Sequence, residues 1–210
     1  MNRLRPWSPA GASLLLAACA AAPHQPTWHE LFDGRTLGGF VVTDFGGQGE
    51  VEVKDGRLCL GMGSPLTGVT WTGALPAGDY ELEVTARRAL GNDFFCGLTF
   101  PVGGDHLTLV LGGWGGTLCG LSSLDGNDAA NNDTRTLRRF AADRDYTATI
   151  TVQTSAVTCT LDGETLCAID PRRHRLGLRP EVLLSRPLGI ASFATATAIT
   201  RLRWRQLPAR

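Results

Sequence analysis

The chain has 210 residues, of which 43% are hydrophobic, and it carries 20 basic and 20 acidic side chains. This length fits one domain, and the apolar fraction is typical of a globular protein and not of a disordered one. The balanced charge offers no basic surface to a polyanion, so we expect no nucleic-acid partner.

Residues 1–18 have the features of an export signal. Arg3 and Arg5 precede a short apolar stretch, Ala10–Ala18, which cannot cross a bilayer as a helix because about 20 residues are needed. The stretch leads into the tetrapeptide LAAC, which ends at Cys19 and resembles the bacterial lipobox. The resemblance implies a lipidated Cys19 and a protein anchored to the cell envelope. The alternative is ordinary cleavage at the A-x-A site around Cys19, which would leave a secreted protein.

We predict a tether over residues 19–27 and one all-β domain over residues 28–210. Apolar and polar residues alternate on both sides of Asp55-Gly56 and of Asp162-Gly163, a pattern that predicts two β-hairpins. Other short runs, some alternating and some mainly apolar, predict further strands at Tyr80–Ala86, Leu107–Leu111, Tyr146–Val152, Leu188–Phe193 and Ile199–Trp204. About a dozen short strands without a helical period predict a sandwich of two antiparallel sheets.

Five cysteines follow Cys19, and an odd number excludes a complete disulfide framework. Cys159 and Cys167 flank the second predicted turn, where a disulfide would need one extra residue in the hairpin. The bridge and a pair of buried free thiols both remain open. No cysteine or histidine spacing indicates a zinc site.

Several segments, in order, resemble the 3-keto-disaccharide hydrolase domain family. The opening ELFDGRTLGGF at Glu30–Phe40 is similar to that family's LFDGKTLDGW, and VEVKDGRLCLG at Val51–Gly61 to its first hairpin. GDYELEVTARRALGND at Gly78–Asp93 and the closing ITRLRWRQL also match, so the resemblance covers about residues 30–207. It implies a concanavalin-like jelly roll that handles sugars, with hydrolysis of 3-keto disaccharides as the leading activity.

Two segments depart from the family pattern, Gly112–Thr134 and Leu178–Gly189, and they indicate a distinct branch. A non-catalytic glycan-binding module and a structural envelope protein therefore remain as alternatives. No motif of a serine hydrolase, zinc protease or nucleotide-binding enzyme is present.

Cleavage next to a ketone needs a base, a group that stabilises the enolate and an acid for the leaving oxygen. Asp93 aligns with the family's NSG motif and is a candidate base, with a turn cap as the alternative. His106 and Glu181 are further candidates, although each could be structural. Asp125 and Asp128 belong to an acidic loop, residues 125–133, that could contact sugar, bind a divalent cation such as calcium, or form only a polar turn.

Trp114 lies between two glycine pairs, so we expect one face of its ring to be free for stacking on a sugar. The alternative is a core tryptophan for which the glycines make room. Trp71 is a second candidate for sugar contact and is also typical of a core. Asn127, Arg179 and Arg186 are polar candidates in the late and acidic loops, where Arg179 could instead form an ion pair with Glu181.

Overall fold

The computed structural model describes residues 26–208. The predicted signal peptide and Cys19 lie outside the described residues. The strands, in chain order, are β1 (His29–Glu30), β2 (Phe40–Val42), β3 (Val51–Lys54), β4 (Arg57–Leu60), β5 (Leu66–Trp71), β6 (Tyr80–Gly91), β7 (Cys96–Val102), β8 (Asp105–Gly112), β9 (Leu118–Ser122), β10 (Thr136–Leu137), β11 (Tyr146–Gln153), β12 (Ala156–Leu161), β13 (Glu164–Ile169), β14 (Gly189–Phe193) and β15 (Thr195–Gln206).

These strands form two antiparallel sheets, which confirms the predicted all-β sandwich. The first sheet has the order β13-β12-β11-β6-β15-β4-β3, with β1 also paired to β15, and the second has the order β10-β9-β8-β7-β14-β5-β2. Three short helical turns interrupt the connections: Gly113–Gly116, Pro171–Arg173 and Pro180–Ser185. No helix within residues 26–208 is long and apolar enough to span a membrane.

The predicted hairpins form around left-handed turn residues. Asp55 and Gly56 have φ of 50° and 73°, and Asp162 and Gly163 have φ of 50° and 83°. Both Asp-Gly pairs therefore supply the positive φ that tight two-residue hairpin turns require.

Cys159 lies directly opposite Cys167, and the register of β12 and β13 shifts immediately after Cys159. The hairpin thus contains the irregularity that a bridge would need, but both sulfurs are free thiols. The hydrogen bond with Cys167 raises the pKa of the Cys159 thiol, and burial raises it further. In this structure the two cysteines act as small core residues.

The two faces of the second sheet differ in side-chain size. Leu98, Leu109 and Leu121 are paired neighbours that point into the core between the sheets. The adjacent row on the other face holds mostly small residues: Gly97, Val110, Gly120 and Ala191. Because side chains alternate between faces along a strand, this outer face is shallow. It leaves room for covering loops and for a cavity.

Candidate functional site

A cavity of about 280 Å³ lies on the outer face of the second sheet. Two connections border it, the Gly112–Gly116 turn and the segment that contains the Pro180–Ser185 turn. Its lining residues are Leu66, Asp93, Phe94, Thr108, Val110, Trp114, Ser122, Arg179, Glu181, Val182 and Phe193. Four residues predicted from the sequence, Asp93, Trp114, Arg179 and Glu181, therefore meet at one cavity.

Trp114 has a left-handed backbone with φ of 47° and ψ of 59°, and its side chain is 43% exposed. The neighbouring Gly112 and Gly116 also have positive φ, of 75° and 100°. Glycine adopts this geometry without steric cost, whereas tryptophan does so only when its surroundings impose it. The turn therefore places a half-exposed tryptophan at the cavity mouth, which is not the position of a core residue.

Arg88 lies beneath this turn and binds its backbone. Its Nη2 donates hydrogen bonds to the carbonyl oxygens of Gly112 at 3.2 Å, Gly116 at 2.9 Å and Asp93 at 3.3 Å. A Cβ at Gly112 would come within 2.5 Å of Arg88 Nη2, so the glycine also makes room for the guanidinium. The guanidinium carbon lies 5.4 Å from the centre of the Phe95 ring, within cation–π range. Arg88 thus fixes the turn to the first sheet.

Asp93 fixes the same turn from the cavity side. Its Oδ1 accepts hydrogen bonds from the backbone nitrogens of Phe94 at 2.7 Å and Trp114 at 3.1 Å. Its own backbone nitrogen donates to Thr195 Oγ1 at 3.0 Å. Within residues 26–208 no hydrogen bond reaches the other carboxylate oxygen, Oδ2. Asp93 therefore caps a turn, as one interpretation predicted, and still presents one oxygen to a ligand.

Arg179 joins two carboxylates at the opposite side of the cavity. Its Nη1 donates to Asp128 Oδ2 at 2.7 Å, and its Nη2 donates to Glu181 Oε1 at 2.6 Å. The hydrogen bond from Arg179 lowers the pKa of the Glu181 carboxyl below its usual value. Glu181 is consequently ionised near neutral pH, which suits a hydrogen-bond acceptor better than a general acid. The predicted ion pair of Arg179 and Glu181 is present, with Asp128 as a third member.

The carboxylates of Asp125 and Asp128 in the acidic loop bind groups inside the protein. Asp125 accepts hydrogen bonds from the Arg175 backbone nitrogen at 2.7 Å and from His174 Nδ1 at 2.8 Å. Asp128 Oδ1 accepts from the Ala130 backbone nitrogen and the Asn131 side chain. Because the partners of Asp125 and Asp128 are donors and cations, these two carboxylates do not form a ready calcium site. No group of three metal-binding side chains occurs among the residues that the structure describes.

The other predicted residues lie away from this cavity. Asp125 and Asn127 line a separate groove of about 410 Å³ together with His174. His106 lines a third groove of about 720 Å³, and burial, followed by the charge of Arg186, lowers the pKa of its ring below the usual value. The Arg186 side chain bonds only the Leu183 carbonyl, at 3.2 Å, in the described part of the chain.

Trp71 packs as a core residue and lines none of these cavities. Its ring lies 5.0 Å from that of Phe40, and its Nε1 donates to the Ala74 carbonyl at 3.0 Å. A Cβ at Gly39 or Gly73 would come within 2.6 Å of the ring. Glycines thus make room for the ring of Trp71, whereas a Cβ at Gly112 or Gly116 would meet Arg88.

Sequence reasoning did not identify the aromatic and hydroxyl lining of the cavity. Phe94 and Phe193 lie with ring centres 5.6 Å apart, and Thr108 pairs with Ser122 across β8 and β9. Phe193 ends a predicted strand and follows the small residues Ala191 and Ser192. An aromatic residue at the end of such a strand is a signal that could have pointed to the outer face.

No protein-family model matches the sequence, and no curated protein matches it. Several solved structures share the fold. The Ca²⁺-bound exoplasmic/lumenal domain of VIP36 has a TM-score of 0.61 and 12% identity, covering 87% of this chain and 91% of that domain. The carbohydrate-binding module CBM66 from Bacillus subtilis has a TM-score of 0.55 and 10% identity. The match covers 80% of this chain and 96% of that module.

A third similar structure is that of a Parabacteroides distasonis protein provisionally described as a glycosyl hydrolase. It has a TM-score of 0.55 and 11% identity, and the match covers 86% of this chain and 94% of that one. At such identities the likeness concerns the fold alone. The chain has the jelly-roll fold of two antiparallel sheets that these structures share.

Proposed function

We propose that this domain binds carbohydrate at the cavity beside Trp114. The observation that carries the proposal is a half-exposed tryptophan ring, fixed by its backbone at a cavity mouth that also presents the carboxylates of Asp93 and Glu181. Sugars stack their apolar C–H faces on aromatic rings, and carboxylates accept hydrogen bonds from sugar hydroxyls. CBM66 is a carbohydrate-binding module, and VIP36 has a mannose-bound form, which supports the same class of ligand.

The proposed binding mode places one sugar ring against Trp114. Asp93 Oδ2 would accept a hydrogen bond from one hydroxyl, and Glu181 from another, while Arg179 holds Glu181 in place. Little reorganisation is needed because hydrogen bonds already fix the tryptophan turn and the Arg179–Glu181 pair. A preorganised site keeps more of its interaction energy as affinity.

A panel of immobilised neutral and charged glycans, followed by calorimetric titration of the best ligand, tests the proposal. We expect Trp114→Ala to weaken binding by about tenfold or more, since it removes the stacking surface. Trp28→Ala is the matched control because Trp28 packs on Arg203 and Arg205, which belong to the other sheet. Loss of affinity in both variants, or in neither, would contradict the proposed site.

Hydrolysis of 3-keto disaccharides is the second candidate, and the free Oδ2 of Asp93 favours it. This oxygen could take a proton from the carbon next to the ketone, after which the glycosidic C–O bond breaks and the departing oxygen gains a proton. Water then adds to the resulting enone to restore the sugar. A conventional mechanism with two carboxylates is less favoured, because it needs a protonated acid and the pKa of Glu181 is lowered.

Turnover of 3-keto-trehalose by the full chain tests this second candidate. We expect Asp93→Asn to retain sugar binding and to lose turnover, because the amide keeps an acceptor for the Trp114 nitrogen but cannot act as a base. Equal turnover by the two proteins would exclude Asp93 as the base. No turnover by the native chain would leave carbohydrate binding as the function.

Export and lipid anchoring at Cys19 are part of the same proposal. They rest on the apolar leader and the LAAC sequence. Inhibiting lipoprotein signal peptidase with globomycin should then cause the leader to be retained. Normal maturation under the inhibitor would indicate a secreted protein instead.

A further inference from the structure

The interior of the cavity is largely apolar, in contrast to its mouth. With Trp114, five apolar side chains make up six of its eleven lining residues: Leu66, Phe94, Val110, Val182 and Phe193. Of the polar residues inside, Thr108 already shares a hydrogen bond of 2.9 Å with Thr99. Ser122, the other hydroxyl inside, lies 3.5 Å from the Ser123 hydroxyl. A sugar ring placed here would have several hydroxyls but only these two side chains to bond, so part of its lost hydration would not be replaced, at a cost in free energy. The interior therefore suits an apolar group better than a sugar ring.

The cavity volume fits a compact ring. An apolar cavity of about 150 Å³ in another protein accommodates benzene, and this one measures about 280 Å³. The rings of Phe94 and Phe193 are tilted by 41° to each other, so an inserted aromatic ring could meet a ring edge or a ring face.

The charges at the mouth favour a neutral ligand. Arg179 is the one cationic residue in the cavity lining within residues 26–208, and it already binds Glu181 and Asp128. The remaining charged groups of the lining are the carboxylates of Asp93 and Glu181. A sugar that carries its own carboxylate would meet repulsion without a free cation to compensate.

We propose that the ligand is a neutral glycoside whose non-sugar part is a compact apolar ring, preferably an aromatic one. This inference rests on the proposed carbohydrate binding and extends it to the other half of the ligand. The sugar lies against Trp114 at the mouth, and the aglycone fills the interior among Phe94, Val182 and Phe193. The cavity thus discriminates between glycosides by their aglycone.

Calorimetric titration of the full chain with matched pairs of methyl and phenyl glycosides tests the inference. The pairs should cover glucose, galactose, mannose and xylose, with phenyl glucuronide as a charged arm. We expect the phenyl member of the preferred sugar to bind at least about tenfold more tightly than the methyl member, because it buries additional apolar area. We expect phenyl glucuronide to bind more weakly than the neutral phenyl glycoside.

Two substitutions of Val182 test whether the aglycone occupies the interior, and a third variant controls for general effects on the fold. Val182→Phe fills the cavity from the Pro180–Ser185 turn. It should bring the ratio of the affinities for the phenyl and methyl glycosides close to one. Val182→Thr keeps the volume and adds a hydroxyl, and should lower the ratio in part. Leu183→Phe is the control, because Leu183 is exposed on the same turn and does not line the cavity.

The outcomes distinguish this inference from the function on which it rests. Equal binding of methyl and phenyl glycosides would overturn the inference and leave carbohydrate binding intact. Tighter binding of phenyl glucuronide than of the neutral phenyl glycosides would overturn the inference that the ligand is neutral. A ratio unchanged by Val182→Phe would place the aglycone elsewhere, and no binding of any glycoside would overturn both proposals.

Discussion

The carboxylate of Asp93 accepts a hydrogen bond from the backbone nitrogen of Trp114 at 3.1 Å, across 21 positions of sequence. The contact links the end of β6 to the turn after β8, so a polar side chain at one loop sets the conformation of a tryptophan in another. The same oxygen also accepts from the nitrogen of Phe94 at 2.7 Å. The tryptophan at the cavity mouth is consequently oriented before any ligand arrives.

Replacing Asp93 separates its structural role from its charge. Asp93→Ala removes the acceptor for two backbone nitrogens, and we expect the free energy of unfolding to fall by about 1–2 kcal/mol and sugar affinity to fall about tenfold. Asp93→Asn keeps an acceptor oxygen and should hold the affinity within about threefold of the native value. Denaturant unfolding and calorimetry measure the two effects. An equal loss of sugar affinity in Asp93→Ala and Asp93→Asn would show that the charge of Asp93, and not the conformation of the turn, determines binding.

Arg88 supports the turn from below and gives a second prediction. In Arg88→Met the carbonyls of Gly112 and Gly116 lose their donor, which should cost about 2–3 kcal/mol of stability and weaken sugar binding about tenfold. Arg87→Met is the neighbouring control, since Arg87 binds the Asp143 carbonyl and not the turn. Native affinity in a folded Arg88→Met protein would contradict the role of Arg88 in positioning Trp114.

The two aspartates of the acidic loop should behave differently. The Asp128 side chain is 15% exposed and binds Arg179, whereas that of Asp125 is 51% exposed. We expect Asp128→Ala to lower the free energy of unfolding by about 2 kcal/mol and to weaken sugar binding severalfold, because Arg179 loses one of its tethers. Asp125→Ala should change affinity little. A larger loss of affinity in Asp125→Ala would move the sugar site to the groove beside His174.

The pH dependence of the Arg179 cluster follows from its lowered carboxyl pKa. A carboxylate whose pKa is lower in the folded protein adds stability above its unfolded pKa, and that stability is lost as the pH falls through the folded pKa. Glu181 should therefore stay ionised, and sugar affinity should stay constant, from pH 7 down to pH 5. Affinity should decline only below about 4.3, the ordinary pKa of glutamate. NMR titration of Glu181 checks this directly, and a midpoint at or above the ordinary value would contradict the bonding to Arg179.

Calcium should have little effect on the domain, because the carboxylates of Asp125 and Asp128 already bind internal donors. We expect added Ca²⁺ or EDTA to shift the melting temperature by less than about 1 °C, since a ligand that binds the folded state must raise it. A clear stabilisation by Ca²⁺ that is lost in Asp125→Ala would show that the loop rearranges to hold the ion.

Local sequence patterns predicted the strands and the hairpins well. The alternation from Tyr80 to Ala86 marks a strand that continues to Gly91, and the hairpin predicted around Asp162-Gly163 forms between β12 and β13. Both Asp-Gly turns form as expected because the chemistry that specifies them lies within four residues. The flanking glycines also pointed to Trp114, which is half-exposed and lines the cavity.

The composition of the cavity could not be predicted in the same way. Arg179 meets Asp128 across 51 positions and Arg88 meets Gly116 across 28, and only the pairing of strands brings such residues together. The apolar character of the interior depends on which face of β8 and β14 is outward, and neither strand shows a clear alternation. Burial on both faces, one by the core and one by covering loops, removes the signal.

Crystallography of the full chain with a bound glycoside locates the sugar. We expect a sugar ring stacked on Trp114, with a hydroxyl within hydrogen-bond distance of Asp93 Oδ2. A sugar bound in the groove of Asp125 and His174, or away from Trp114 altogether, would contradict this expectation.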